Sequence, residues 1–250
     1  MSPSPARKDE TLDAFYRGRV LVLQKKKGYR FSVDAPLLAD FVETRPGETL
    51  LELGAGCGII GLLLAAVKPF RRLVALEIQP ALADLARRNV ALNRFEERIA
   101  VVEADLRAFG PAERFDVVFS NPPYIKRRGG HLSLNRERTL ARHEVACDIG
   151  DVLAKTAECL APGGRAYFVY PVRRANDFRR ASERSGLALR RLRPVRPRAE
   201  APANLFLAAC AAAGEDGGGA AEEAAPLVLF GPDGAYTAEA DAIFSGRDHA

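Results

Sequence analysis

Long apolar runs are scarce in this chain of 250 residues. The longest, Ile59 to Val67, is about half of the ~18 residues that a membrane-spanning helix needs, so no span is expected. Histidine and cysteine are sparse as well, with three of the first and four of the second. Cys57, Cys147, Cys159 and Cys210 lie far apart and form no C-x-x-C pair. That spacing argues against a disulfide framework and offers no zinc pattern, so reduced cysteines and no metal are expected. The start, Met1 to Glu10, is Pro, Ser and charge without the apolar stretch of a signal peptide. The expectation is a cytosolic protein.

What is present is ordinary in amount and unusual in arrangement. With 48% apolar and 28% charged residues the composition is that of a globular protein, and the length suits one large domain or one domain with appendages. The net charge of +5 hides a strong asymmetry. Residues 121–198 hold 18 Lys/Arg against 7 Asp/Glu, whereas residues 199–250 hold 1 against 9. A basic block inside a folded domain fits a polyanionic partner, because phosphates are met by Lys and Arg. The bland alternative is a solvated surface in an arginine-rich chain, since 30 of the 37 basic residues are Arg.

The pattern of elements is alternating. Residues 1–11 read as disordered, Arg19 to Gln24 as a strand, Lys25-Lys-Lys-Gly28 as a turn and Tyr29 to Val33 as its partner strand. Asp34 fits the N-cap of a helix through Phe41, and Pro46-Gly47 closes that unit. Strands then follow at Thr49–Leu53, Leu73–Leu76, Ile99–Glu103, Phe115–Ser120, Ala166–Tyr170, Leu187–Val195 and Leu205–Ala209. Helices are expected at Ile59–Val67, Pro80–Asn93, Ile149–Leu160 and Phe178–Ser185. Such alternation of short apolar strands with helices predicts an α/β, Rossmann-like, doubly wound and mostly parallel sheet, here of seven strands. The predicted organisation is an N-terminal extension (1–46), a core (47–210), an Ala/Gly/Glu linker (211–225) and a C-terminal segment (226–250).

One turn in this scheme is built for a ligand. Glu52-Leu-Gly-Ala-Gly-Cys-Gly58 joins the first core strand to its helix. Gly54, Gly56 and Gly58 let the backbone approach a ligand, and the helix N-terminus behind them offers free N–H groups. Glu77 follows the second core strand, where a carboxylate can accept from two ribose hydroxyls. Asp105 follows the third, again at the ligand-bearing carboxyl edge. The spacing Gly56-x-Gly58-x-x-Gly61 also matches the dinucleotide fingerprint. Glu52 argues against that reading, because a carboxylate at the mouth of the turn repels a pyrophosphate and welcomes an ammonium group. Glu-x-Gly-x-Gly-x-Gly with acids after strands two and three resembles the class I S-adenosylmethionine-dependent methyltransferases.

The fourth core strand runs into Ser120-Asn-Pro-Pro-Tyr124. An exocyclic or amide nitrogen is a poor nucleophile because its lone pair is delocalised. The Asn121 side-chain oxygen and the Pro122 carbonyl can accept its two N–H bonds and favour a pyramidal nitrogen. Pro122 and Pro123 stiffen that geometry, and Tyr124 offers a stacking face to a planar substrate. The Asn-Pro-Pro-Tyr motif resembles that of amino-methyltransferases acting on adenine N6, guanine N2 or the glutamine amide of release factors.

Three further stretches narrow the resemblance: Lys27-Gly-Tyr-Arg-Phe-Ser-Val-Asp34, Arg142-His-Glu144 and Asp233-Gly-Ala-Tyr-Thr237. Together they resemble the bacterial tRNA (adenine-N6)-methyltransferase family that modifies the adenine beside the anticodon of a valine tRNA. The resemblance implies tRNA as partner and S-adenosylmethionine as cofactor. It implies that Tyr29, Phe31 and Asp34 close over the cofactor, that Glu52, Gly54, Gly56 and Glu77 hold its methionine and ribose parts, and that Asp105 holds its adenine. Asn121 would serve both cofactor and target amine. Arg127, Arg128, Arg136, Arg138 and Arg142 are candidate phosphate contacts. His143 is either a substrate contact or a helix-surface histidine. Three rivals stay open at this point. A release-factor glutamine methyltransferase shares the motif but usually carries a long helical domain ahead of the core. A ribosomal RNA or DNA amino-methyltransferase is the second rival, and an RNA-binding protein that kept the fold without catalysis is the third.

Overall fold

The computed structural model describes residues 6–27, 33–110, 112–122, 147–214 and 221–246. The described chain opens on a hairpin. Glu10–Phe15 (β1) pairs antiparallel with Val20–Lys25 (β2), Glu10 opposite Lys25 and Phe15 opposite Val20. This corrects the expected pairing of residues 19–24 with 29–33 and the expected disorder up to residue 11. The partner strand is the one before, masked in the sequence by its charges. Glu10 is nonetheless buried, because the Arg88 guanidinium donates to both its oxygens at 2.8 Å and Lys25 adds a third contact at 3.2 Å. Within the expected strand 29–33 only Val33 is described, and it is helical (φ −54°, ψ −20°). Val33 therefore precedes the helix Asp34–Phe41 (α1), and Asp34 sits in the first turn rather than at the cap.

From there the alternation holds. Thr49–Leu53 (β3), Ile59–Val67 (α2), Arg72–Glu77 (β4), Pro80–Leu92 (α3), Ile99–Glu103 (β5) and Phe115–Ser120 (β6) follow in order. Beyond residue 146 come Ile149–Cys159 (α4), Leu160–Pro171 (β7), Ala175–Arg184 (α5), Leu187–Arg196 (β8) and Leu205–Ala212 (β9). Asp148 and Asp151 start α4 with a reciprocal capping box, at 3.1 and 3.0 Å. Two short strands, Glu222–Glu223 (β10) and Leu227–Val228 (β11), and the helix Ala238–Ser245 (α6) complete the described elements.

The sheet order is β10-β8-β9-β7-β6-β3-β4-β5, with β11 also paired to β8. The expected seven strands form its body, parallel except for β9, which runs antiparallel between β7 and β8. The two short strands widen it to nine, so both ends of the stretch read as a linker, Ala211–Ala212 and Glu222–Glu223, belong to the sheet.

Alternation along the strands sends neighbouring residues to opposite faces. Leu50, Leu73, Val117 and Val169 join the core under α1, α2 and α3, while Leu51, Leu53, Val118 and Phe168 join the core under α4 and α5. Connections leave β3 toward β4 on one side and return to β6 on the other. That reversal opens a crevice between the carboxyl ends of β3 and β6.

Candidate active site

The glycine turn follows β3 into this crevice. Gly54, Gly56 and Gly58 have φ of 74°, 58° and 83°, a backbone region that side chains disfavour. Gly54 and Ala55 both donate their N–H to the Leu76 carbonyl at 2.9 Å, folding the turn over the end of β4. The turn is closed from the other side by Glu77. One of its oxygens accepts the Gly56 N–H at 2.8 Å and the other the Gln79 N–H at 2.9 Å. Burial raises the Glu77 carboxyl above its ordinary range, and these amides pull it back. The Gln79 side chain and the Ile78 N–H add to this hold on the carboxylate.

Glu52 is not at the mouth of the turn, as the sequence suggested. It is fully buried beneath it, on the face of β3 that meets α2. A Cβ on Gly61 would stand 3.1 Å from its Oε2, so a side chain at this helix position would press on that oxygen. Neither Glu52 oxygen has a hydrogen-bond partner. Burial pushes its carboxyl up to about 8; the nearby Gly61 amide opposes this and the Glu77 charge adds to it.

On the far side of the crevice, the Ser120 hydroxyl donates to the Leu53 carbonyl at 2.7 Å. This buried bond ties the last residue of β6 to the last residue of β3. The residues that follow each, Asn121 and Gly54, are therefore held side by side at the carboxyl edge. Asn121 is half-buried and Pro122 buried. At the outer flank, Asp105 is gripped by the Arg107 guanidinium at 2.6–3.1 Å and by the Arg107 N–H at 2.9 Å. That cation holds the Asp105 carboxyl below the usual range. Asp34 is buried at the start of α1. The other end of this helix puts Phe41 edge-on to Tyr167, in the carboxyl half of β7.

Tyr29, Phe31, Pro123, Tyr124, Arg127, Arg128, Arg136, Arg138, Arg142 and His143 lie outside the described residues. Two residues that sequence reasoning passed over bear on the site. Ser120 is one. The other is Asn89 on α3, fully buried, whose side chain accepts from the Leu23 N–H at 2.7 Å and donates to the carbonyls of Leu23 at 3.0 Å and Cys57 at 2.9 Å. It links the hairpin to the glycine turn. Its signal was a polar residue on the apolar stripe of Leu82, Leu85, Ala86 and Val90. One turn on, Asn93 pairs in the same way with Leu21, at 2.8 and 2.7 Å.

Thiol chemistry is poorly served. All four cysteines are free and buried. Burial pushes the thiols of Cys57, Cys147 and Cys210 up to about 12 and that of Cys159 to about 11. Among the described residues no cluster of His, Cys, Asp or Glu could hold a metal ion, and no helix is long and apolar enough to cross a membrane.

Comparison with known proteins places this geometry. Residues 30–175 match the family model of the methyltransferase small domain. A tRNA1(Val) (adenine(37)-N6)-methyltransferase of Porphyromonas gingivalis is 32% identical over 193 residues, covering 74% of this chain and 75% of that protein. One of the same name from Flavobacteriaceae bacterium strain 3519-10 is 29% identical over 170 residues, covering 68% and 71%. Among solved structures, a protein described as a predicted O-methyltransferase from Agrobacterium tumefaciens superposes with a TM-score of 0.68 at 23% identity, covering 87% of this chain and 98% of that one. That last likeness is one of fold.

Proposed function

The chain belongs to the methyltransferase small domain family and, within it, to the tRNA1(Val) (adenine(37)-N6)-methyltransferases, and from that premise we propose how its site works. It is an S-adenosylmethionine-dependent enzyme that methylates adenine N6 in tRNA. The observation that carries the reading of the site is the Glu77 carboxylate. It is fixed by the Gly56 and Gln79 amides at the end of β4, one strand away from the Ser120–Leu53 bond that sets Asn121 beside the glycine turn.

The residues present fit the methyl donor. Glu77 holds a carboxylate at the end of β4 that would receive a ribose diol, Gly54 leaves open space above its Cα, and the unpartnered carboxyl of Glu52 supplies a negative field for a cation seated on the turn. Asp105, oriented by Arg107, would accept from the adenine amine, and Asp34, Tyr29 and Phe31 would cover the donor from the extension 1–46. Bound there, S-adenosylmethionine supplies an electrophilic methyl group.

The chain's own part in the reaction lies at Asn121. Its amide oxygen and the Pro122 carbonyl accept the two N–H bonds of the target amine. That draws the nitrogen lone pair out of conjugation and aims it toward the glycine turn. Pro123 and Tyr124 would continue the seat for the base, with Arg127, Arg128, Arg136, Arg138, Arg142 and His143 meeting the RNA around it. A base reaches this seat only when it leaves its stack, which a single-stranded anticodon loop permits at low cost. The target is a valine tRNA at the adenine beside the anticodon, in the cytoplasm.

The test compares valine tRNA from a deletion strain with wild type by nucleoside mass spectrometry, together with a tritiated-methyl assay on tRNA, rRNA and release factor. Loss of N6-methyladenosine at that adenine is expected. Unchanged tRNA with loss of methylated glutamine in release factor would overturn the reading in favour of the glutamine enzyme.

A further inference from the structure

The crevice divides the carboxyl edge of the sheet into two halves with different electrostatics. On the β4–β5 half, the charges are paired at home: Glu103 with Arg87 at 3.6 Å and Asp105 with Arg107 at 2.6 Å. On the β7–β8 half, they are not. Arg173, just after β7, and Arg198, just after β8, are exposed and make no ion pair among the described residues, and neither do Arg179 and Arg180 one turn into α5. Of the acids on this flank, Asp177 is taken by Arg174 at 3.2 Å, Asp148 caps α4, and Glu200 lies in the β8–β9 connection.

Register says where these arginines stand. Ser120 lies abreast of Phe168 on β7, and β7 runs on to Pro171, abreast of Leu205, which is itself abreast of Val195 on β8. Val172 therefore stands about 13 Å beyond the Ser120 row along the strands, and its N–H donates to the Asn204 carbonyl at 3.0 Å, closing the edge there. The β7–β9–β8 flank rises above the catalytic turn like a wall, displaced sideways by about 5 to 15 Å. Its rim carries unpaired guanidinium groups. An apolar or neutral substrate has no use for that arrangement; a polyanion that must keep one base at Asn121 does.

We propose that the RNA strand on one side of the target base leaves the pocket over the carboxyl ends of β7 and β8, its phosphates held by Arg173 and Arg198, with Arg179 and Arg180 farther along. The proposal rests on the tRNA reading above and adds the path. It also splits the edge by task, with the paired half facing the donor and the unpaired half facing the RNA.

The experiment is steady-state methylation of tRNA transcripts by the full chain across a salt series. Arg173→Glu with Arg198→Glu should raise the tRNA KM about tenfold or more and lower the salt slope by about 1.5, since two phosphate contacts are lost. The KM for S-adenosylmethionine should not move, and kcat at saturating tRNA should stay within about threefold. Arg71→Glu with Arg184→Glu makes the same change in net charge at the amino edge of the sheet, before β4 and β8, and should leave the tRNA KM within about threefold of wild type. Arg173→Gln with Arg198→Gln repeats the first measurement without adding negative charge. Equal effects of the two Glu pairs, or no effect of the first, overturn the path while the tRNA reading stands. A wild-type enzyme that transfers no methyl to tRNA overturns the reading itself.

Discussion

Replacing Glu52 by Gln keeps the size and removes the charge of the most deeply buried acid near the site. In the ligand-free protein this carboxyl is pushed from 4.5 up to about 8, chiefly by burial. Between these values the folded chain holds a proton that the unfolded chain has released. Stability therefore falls as pH rises through this window and levels off above it. At 1.36 kcal/mol per unit, the loss reaches about 3 kcal/mol at pH 7 and about 5 above pH 8. No discount for solvent applies, because neither oxygen touches water. Urea midpoints of ligand-free wild type and Glu52→Gln, read from pH 5 to 8.5, should start close together and diverge, the variant becoming the more stable. Other groups titrate in both proteins and cancel in the difference. Parallel curves over this range would mean that Glu52 is charged at no cost, and the account of its surroundings would be wrong.

Asn89→Ala leaves three buried backbone groups without partners, so a loss of about 3 kcal/mol or more in urea unfolding is expected, and Asn93→Ala should cost less. Asn121→Ala should lower kcat about a hundredfold, or ~3 kcal/mol, with S-adenosylmethionine affinity within a few-fold by calorimetry; near-normal turnover refutes its role. Glu77→Gln replaces an acceptor oxygen with a donor against the Gly56 or Gln79 amide, and should weaken S-adenosylmethionine binding about tenfold or more. Binding of that cation at pH 7 should also release a proton from Glu52, seen as a dependence of binding heat on buffer ionisation enthalpy that Glu52→Gln abolishes.

The sheet was readable because its strands are short apolar runs between turn residues. Thr49–Leu53, Ile99–Glu103 and Phe115–Ser120 fall where the sequence places them. The glycine turn and Glu77 were readable because positive φ and a strand-end acid leave local marks. Long-range pairings left no such marks. Glu10-Thr-Leu-Asp-Ala-Phe15 looks like a charged tail until Arg88, some 78 residues on, neutralises Glu10. Glu52 is the same lesson in reverse: its place beside the turn was legible, its burial was not. A strand-end residue shows which edge it occupies, but the face it turns to depends on what packs there, in this case Gly61 of α2. Asn89 and Ser120 act on backbone groups in other elements, which no spacing along the chain announces.

The clamp of Asn89 and Asn93 on Leu23 and Leu21 turns a helix into the third strand of a hairpin. Four residues of helix advance about 6 Å and two residues of strand about 6.6 Å, so two amides one turn apart meet every second residue of β2 in step. Each offers its oxygen and its nitrogen to the N–H and the carbonyl of one strand residue, as a neighbouring strand would. An isolated two-stranded ribbon is marginal in water, and its open edge invites pairing with other chains. Here that edge is spoken for. One residue inserted between Asn89 and Asn93 would turn the second amide about 100° away from the strand. The spacing of this pair on α3 is therefore a ruler: evolution can vary the loops on either side of it in length, but not the four residues from one asparagine to the next.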